Sequence, residues 1–313
     1  MKQLPLDQRK KILATFDHLT PAYGFQWCPG CGNFGVLNTL KFMLVDRKMD
    51  PTQTVVVSDI GQAGKLPMWL NVYGFHGLHG RALPFAQGVK IANPRLNVLA
   101  VAGDGGAYGE GMAHFVHACR RNVNLTYLVH DNATYALTTG QASPTTLKGT
   151  KTKSTPDGAL EQTLNPLQIA IASGATFVAR AYVGDQEQFA SILAAAVAHP
   201  GFAVIDILQP CVIWNSVQTW QSWQERVKRL DKRYNSANKA TAFAVAAETF
   251  NPNDPKSKIP IGILYRAKSS GASFDEQVSR PLTQSLVDHD IRDVDVQPLI
   301  DRIMGREHWD HAE

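Results

Sequence analysis

Long apolar runs, tracts of one charge sign and dense cysteines are all missing from this sequence of 313 residues. The longest apolar stretches, such as Asn97–Gly103 and Phe202–Leu208, are strand-sized, whereas a membrane-spanning helix needs about 20 residues, so no membrane is expected as a partner. The 31 basic residues stand against 27 acidic ones, a net charge of +4 with neither sign gathered into a block. That removes the electrostatic footprint of a nucleic-acid binder. Four cysteines are too few for a disulfide scaffold. The opening MKQLPLDQRKKIL is charged throughout and has neither an apolar core nor a small-residue cleavage site. A cytoplasmic protein is therefore expected, with its cysteines as thiols or metal ligands.

What is present is globular composition, 44% hydrophobic and 19% charged, with no internal repeat or low-complexity tract. Short β-branched runs at 55–57, 97–103, 125–131, 176–183 and 202–208 alternate with helical patterns over Arg81–Ala92, Gly109–Arg121, Pro166–Ser173 and Gln186–Ala198. Several of the strands are apolar on both faces. That rhythm predicts an α/β fold, a mainly parallel twisted sheet with helices on both faces. Beyond Pro210 the character changes: QTWQSWQERVKRLDKRY is charged with helical spacing, IPIGILY offers one more strand, and Ser269 to Glu313 reads as a peripheral tail. The expected organisation is an α/β domain over 1–210 and a C-terminal appendage and subunit-contact segment over 211–313 whose tail wraps a neighbour or the body of the protein, with Trp220 and Trp223 suited to an interface or to simple packing.

The chemistry begins where NVLAVAG runs into Gly103, Asp104, Gly105 and Gly106 ahead of a helix. Small residues let a backbone approach a ligand; Gly105 and Gly106 are read as free to take φ > 0 and expose N–H groups, and Asp104 supplies a hard oxygen for a divalent cation. A glycine-rich strand-to-helix turn also occurs for packing alone. The next strand ends LVHDN and puts Asn132 at a second tip, 28 positions after Asp104. Neighbouring parallel strands would bring carboxylate and amide together, and a magnesium ion held so would complete its shell with diphosphate oxygens.

This GDG…N pairing resembles the thiamine-diphosphate motif. The stretches GFHGLHGRALPFAQGVKIANP, GDGGAYGEG, HFVHACRRN, DNATYALTTGQASPTT and KTKSTPDG together resemble the β subunit of 2-oxoacid:ferredoxin oxidoreductases, over about two thirds of the chain. The resemblance implies a thiamine-diphosphate-binding fold and oxidative decarboxylation of a 2-oxoacid to an acyl-coenzyme A, with electrons passed to ferredoxin or the reverse. It implies magnesium on Asp104, Asn132 and the Thr134 carbonyl, and cofactor contacts from Gly105, Gly106, Ala136 and Leu137. The His79, Gly80, Arg81 and Ala82 turn, and the Ile60, Gly61, Gln62 and Ala63 loop, are expected beside the same cofactor. Lys65 is expected to meet the substrate carboxylate, with Thr138 and Thr139 as hydroxyl partners. Lys148, Lys151 and Lys153 suit coenzyme A phosphates or a plain solvated loop equally.

Cys28-Pro-Gly-Cys31 has spacing for a zinc or iron–sulfur site or a redox pair; the resemblance implies one four-iron four-sulfur cluster held by four cysteines. Cys28, Cys31 and Cys211 match three of them. At the fourth place the chain carries Gln62, whose carboxamide is a poor ligand for iron held by sulfide. Cys119 lies in the helix after GDG and reads as a small buried hydrophobe. A cluster with an unusual fourth ligand, a three-iron cluster and no cluster stay open; without one, a thiamine-dependent decarboxylase or synthase subunit, or an inactive assembly subunit, would be the alternative. No glutamate suits the activation of thiamine, and the resemblance implies that an α subunit supplies it.

Overall fold

The structure is a computed structural model and describes residues 7, 10, 24–251, 254, 256–280, 285–288 and 295–304. Most of the opening segment read for a leader, and the rest of the expected tail, lie outside the described residues. Among the described residues no helix is long and apolar enough to cross a membrane.

Helix α1 (Asn33–Asp46) starts directly after the CPGCG turn. Then come β1 (Thr54–Ser58), a single helical turn at Gly61–Gly64, β2 (Tyr73–His76), α2 (Ala82–Ala92) and β3 (Asn97–Gly103). A π-type turn over Gly105–Glu110 leads into α3 (Met112–Arg121), and β4 (Leu125–Asp131) follows. After a long segment come α4 (Pro166–Ala172), β5 (Phe177–Tyr182), α5 (Gln186–Val197) and β6 (Phe202–Leu208). Past residue 210 lie α6 (Trp220–Arg226), β7 (Val227–Arg229), α7 (Lys239–Ala246) and β8 (Ile259–Arg266).

These strands form one sheet in the order β2-β1-β3-β4-β6-β5-β8-β7. Every pairing is parallel except β5 with β8. Strands β1, β4, β5 and β6 are buried along their whole length, which is why they read as continuous β-branched runs rather than alternating ones. One face of the sheet packs on α1 and α5 through Leu37, Leu40, Leu44, Phe189 and Leu193. The other packs on α2, α3, α4 and α7 through Leu83, Phe115, Leu167 and Ala242.

Three local readings are corrected. The helix expected over Gly109–Arg121 is split, because the glycine-rich Gly105–Glu110 stretch winds into a wider turn before α3 begins. Gly105 and Gly106 do not have positive φ. Glycine is needed there for closeness instead: a Cβ on Gly105 would strike the Tyr135 ring, and one on Gly106 the Asp59 carboxylate. Trp223 is buried against Phe250 rather than exposed for a partner, while Trp220 is partly exposed.

The chain steps outward from β1 to β2, then returns to place β3 on the other side of β1. That reversal leaves a crevice at the carboxyl ends of β1, β3 and β4, where open α/β sheets bind ligands.

Candidate cofactor site and the adjoining cysteine cavity

A cavity lies in this crevice. The loop after β1 contributes Ile60, Gly61, Gln62 and Ala63, the tip of β3 contributes Gly103 to Gly106, and β4 with its loop contributes His130, Asn132 and Thr134 to Thr138; His79 closes one side. Asp104 and Asn132 thus line one space, as adjacent strand tips in register Gly103↔His130 must.

Asp104 is almost fully buried. Its Oδ2 accepts a hydrogen bond from Ser143 Oγ at 2.5 Å and lies 2.7 Å from Thr145 Oγ1, which is also 2.9 Å from Asp131 Oδ1, so one hydroxyl hydrogen is shared between the two carboxyls. Burial, and then the nearby charge of Asp131, pushes the Asp104 carboxyl above its ordinary range. A carboxylate so placed gains from a cation. Among the described residues no three His, Cys, Asp or Glu side chains are close enough to hold a metal ion, so a cation on Asp104 must draw most of its ligands from an amide, a carbonyl and a bound anion, which suits magnesium carried by a diphosphate. The Asn132 side-chain oxygen accepts from Thr134 N–H at 3.1 Å, which fixes the loop beside it.

Two further observations test whether a cofactor fits. A Cβ built on Gly103 meets no atom within 4 Å, so the packing around it does not require that glycine; Gly61, with φ 89°, is required by its own backbone. His130 is fully buried, and its Nε2 lacks a hydrogen-bond partner among the described residues. Its Nδ1 bonds Asn33 Oδ1 at 2.8 Å, and desolvation drives the imidazole pKa down to about 3, keeping it neutral. Open space beside glycine and an unpaired buried nitrogen both suit a wall that meets a ligand.

The remaining expected residues are placed unevenly. Gly80 N–H donates to Asp59 Oδ2 at 3.4 Å, Ala82 is buried at the start of α2, and Arg81 turns back to the carbonyls of Gly80 and Glu110 at 3.3 and 2.9 Å; none of the three lines the cavity. Lys65 also lies outside it, near enough to His76 to depress that imidazole after burial has done so. Thr138 lines the cavity and donates to the Gln141 side chain, whereas Thr139 accepts from Lys153 at 3.3 Å outside it. Lys148 and Lys151 are exposed.

Sequence reasoning missed several supports. Asp59, at the end of β1, is buried, and desolvation, together with the charge of Glu110, raises its pKa to about 8. Glu110 sits 3.2 Å from His79 Nδ1 and also accepts from Tyr135 OH at 3.2 Å. Ser143 and Thr145 reach Asp104 from a loop about 40 residues away. Only the serine- and threonine-rich composition of that loop hinted at them.

A second cavity adjoins the first, and Gln62, Asn132 and Ala136 line both. Cys28, Cys31 and Cys211 line it together, with Trp27 and Asn33. Cys28 to Cys31 is a tight turn, closed by Cys31 N–H to Cys28 O at 3.0 Å with Gly30 at φ 78°, the type II geometry that a Pro-Gly centre favours. Trp27 Nε1–H donates to Gln62 O at 2.8 Å and ties this turn to the loop after β1. Burial, with the other two thiols adding to it, raises Cys31 to about 11, so a thiolate there needs a metal to stabilise it. Cys119 is buried in α3, away from both cavities.

The sheet order, the crevice at the reversal point and the Asp104–Asn132 pair within it suit an α/β protein that holds a phosphate-bearing cofactor. The sequence matches the family described as thiamine pyrophosphate enzyme, C-terminal TPP binding domain, over residues 53–207, and the family of the C-terminal part of the pyruvate ferredoxin oxidoreductase beta chain over 211–281. It is 44% identical over 250 residues to the 2-oxoacid:ferredoxin oxidoreductase 1 subunit beta of Aeropyrum pernix, covering 76% of this chain and 77% of that one. To the corresponding subunit of Saccharolobus solfataricus it is 48% identical over 208 residues, 66% and 68% of the two chains. Its fold matches a 2-oxoglutarate:ferredoxin oxidoreductase from Magnetococcus marinus, solved with 2-oxoglutarate, coenzyme A and succinyl-CoA bound, with TM-score 0.80, 31% identity, and 93% and 95% coverage. The chain belongs to the family of 2-oxoacid:ferredoxin oxidoreductase β subunits.

Proposed function

We propose that the first cavity binds thiamine diphosphate with magnesium, and that the chain works with an α subunit to oxidise a 2-oxoacid, transferring the acyl group to coenzyme A and electrons to ferredoxin. The observation carrying this reading is that Asp104, Asn132 and Thr134 line one cavity beside the glycines at 103, 105 and 106. Asp104 and Asn132, with the Thr134 carbonyl, hold the magnesium; Gly103, Gly105 and Gly106 admit the diphosphate at the strand tip; Ala136 and Leu137 give an apolar wall. Thiamine supplies a carbon nucleophile and an electron sink once a carboxylate has activated its pyrimidine. Among the described residues lining the cavity none is a glutamate, so that carboxylate comes from the partner. Residues 211–313 meet that partner, with the exposed Val212, Ile213 and Trp214 beside the cysteines.

In the second cavity Cys28, Cys31 and Cys211 hold an iron–sulfur cluster, with Gln62 at the corner where a four-iron cluster ordinarily has a fourth thiolate. A cluster spreads its ligands over different irons, which suits three thiols that come from two separate segments of the chain. A cluster-free decarboxylase subunit is the second reading, and Gln62 is the feature that favours it.

The test is 2-oxoacid-dependent, coenzyme A-dependent reduction of ferredoxin by the complex purified anaerobically with its partner, with iron and acid-labile sulfide measured on the same sample. Turnover with the partner and none from this chain alone is expected. Iron and sulfide near zero, with decarboxylation retained, would replace the first reading by the second.

A further inference from the structure

The environment of His130 asks for more than the cofactor cradle accounts for. It is the last residue but one of β4, fully buried, and Nδ1 is held at 2.8 Å by Asn33 Oδ1, the first side chain of α1. The same Asn33 oxygen accepts from Gln209 Nε2 at 2.8 Å. An amide oxygen has no hydrogen to give, so with the Asn33 oxygen on this side the imidazole carries its hydrogen on Nδ1 and its lone pair on Nε2. Nε2 has no partner among the described residues. As a plain core histidine it would leave a buried acceptor unpaired, an arrangement native interiors avoid.

The surroundings point to a ligand. His130 lines the first cavity, and its register partner across the sheet is Gly103. Register partners on neighbouring parallel strands face the same side, and on that side Gly103 leaves open space where a Cβ would sit. Asn33, which fixes the ring, lines the cysteine cavity. The Gln209–Asn33–His130 chain therefore runs from the wall of one cavity to the wall of the other.

We propose that His130 is a positioning residue of the cofactor site whose Nε2 lone pair accepts a hydrogen bond from an N–H or O–H donor of a molecule bound in the first cavity. This rests on the reading of that cavity as the thiamine diphosphate site. The cofactor itself carries an amino group able to donate; a 2-oxoacid at neutral pH carries no such hydrogen, so a donor that appears only with substrate would be created by their combination.

The test uses the full chain with its partner, carrying isotopically labelled histidine, and follows the Nε2 resonance assigned by its loss in His130→Gln. Thiamine diphosphate with magnesium is added first and a 2-oxoacid second. An unprotonated Nε2 that shifts on the first addition identifies the cofactor as donor; a shift only on the second identifies the substrate-loaded state. In parallel, His130→Met should weaken the loaded state about five- to tenfold, and His130→Gln, which restores an acceptor, should recover most of that. Cofactor binding with no shift at either addition, a protonated Nε2, or His130→Met binding as wild type would each overturn the inference and leave the cofactor reading standing. No cofactor binding by the wild-type complex would overturn that reading first, and this inference with it.

Discussion

Each of the glycines at the β3 tip has its own reason to be there, and substitution separates them. Gly103 faces open space, so Gly103→Ala should leave stability within about 1 kcal/mol yet lower thiamine diphosphate affinity at least about tenfold, read by calorimetric titration. Gly106→Ala would instead strike the Asp59 carboxylate and should destabilise by about 1–3 kcal/mol, read as a lower urea midpoint. Asp59 gives a pH signature. An unfolded aspartate ionises near pH 4, whereas folded Asp59, desolvated, keeps its proton to about 8. Between those values the unfolded chain has released a proton that the folded chain retains, so folding loses stability as pH rises through the window and loses no more above it. Asp59→Asn should accordingly gain on wild type from pH 4 to pH 8 and hold a constant difference beyond; a difference independent of pH would show that Asp59 is ionised in the fold. Asp104 and Asn132 were legible because strand periodicity fixes where a tip falls. Asp59, Ser143 and Thr145 were not, because their partners arrive only when distant segments fold together.

Elements were legible where burial was two-sided. Strands β3, β4 and β6 begin and end where the apolar runs do, since a central parallel strand must be apolar on both faces. The edge strand β2 was not read: all four of its residues are exposed, and no burial pattern marks them. Helix α1 was missed although Val36, Leu37, Leu40 and Leu44 carry helical spacing and are buried; Asn33 and Thr39, buried with them, blur the apolar stripe. Strand β8 completes the sheet against β5, and Arg180 of β5 bonds the carbonyls of Ala246, Glu248 and Pro260 from the segment after 210. A chain ended at residue 210 would bare the β5 edge and strand a buried guanidinium. It should aggregate on refolding, whereas a soluble, cooperatively unfolding fragment would show that the sheet needs neither β7 nor β8.

At the scale of the whole molecule, one sheet reversal puts two cavities side by side, one with an acid and an amide at neighbouring strand tips, the other with three thiols and a carboxamide. Gln62 and Asn132 face both, which brings a cofactor in the first within reach of a cluster in the second. The cysteine grouping was visible in part, since Cys28 and Cys31 are adjacent in sequence, while Cys211 joins them only because β6 ends beside β4. The central claim is that Asp104 anchors a diphosphate through a divalent ion. Its most direct measure is the thiamine diphosphate affinity of the intact complex, wild type against Asp104→Ala, each with magnesium and with chelator. Wild type should bind tightly only with magnesium, and Asp104→Ala should lose at least about a hundredfold while keeping its fold; equal affinity in all four samples would contradict the account.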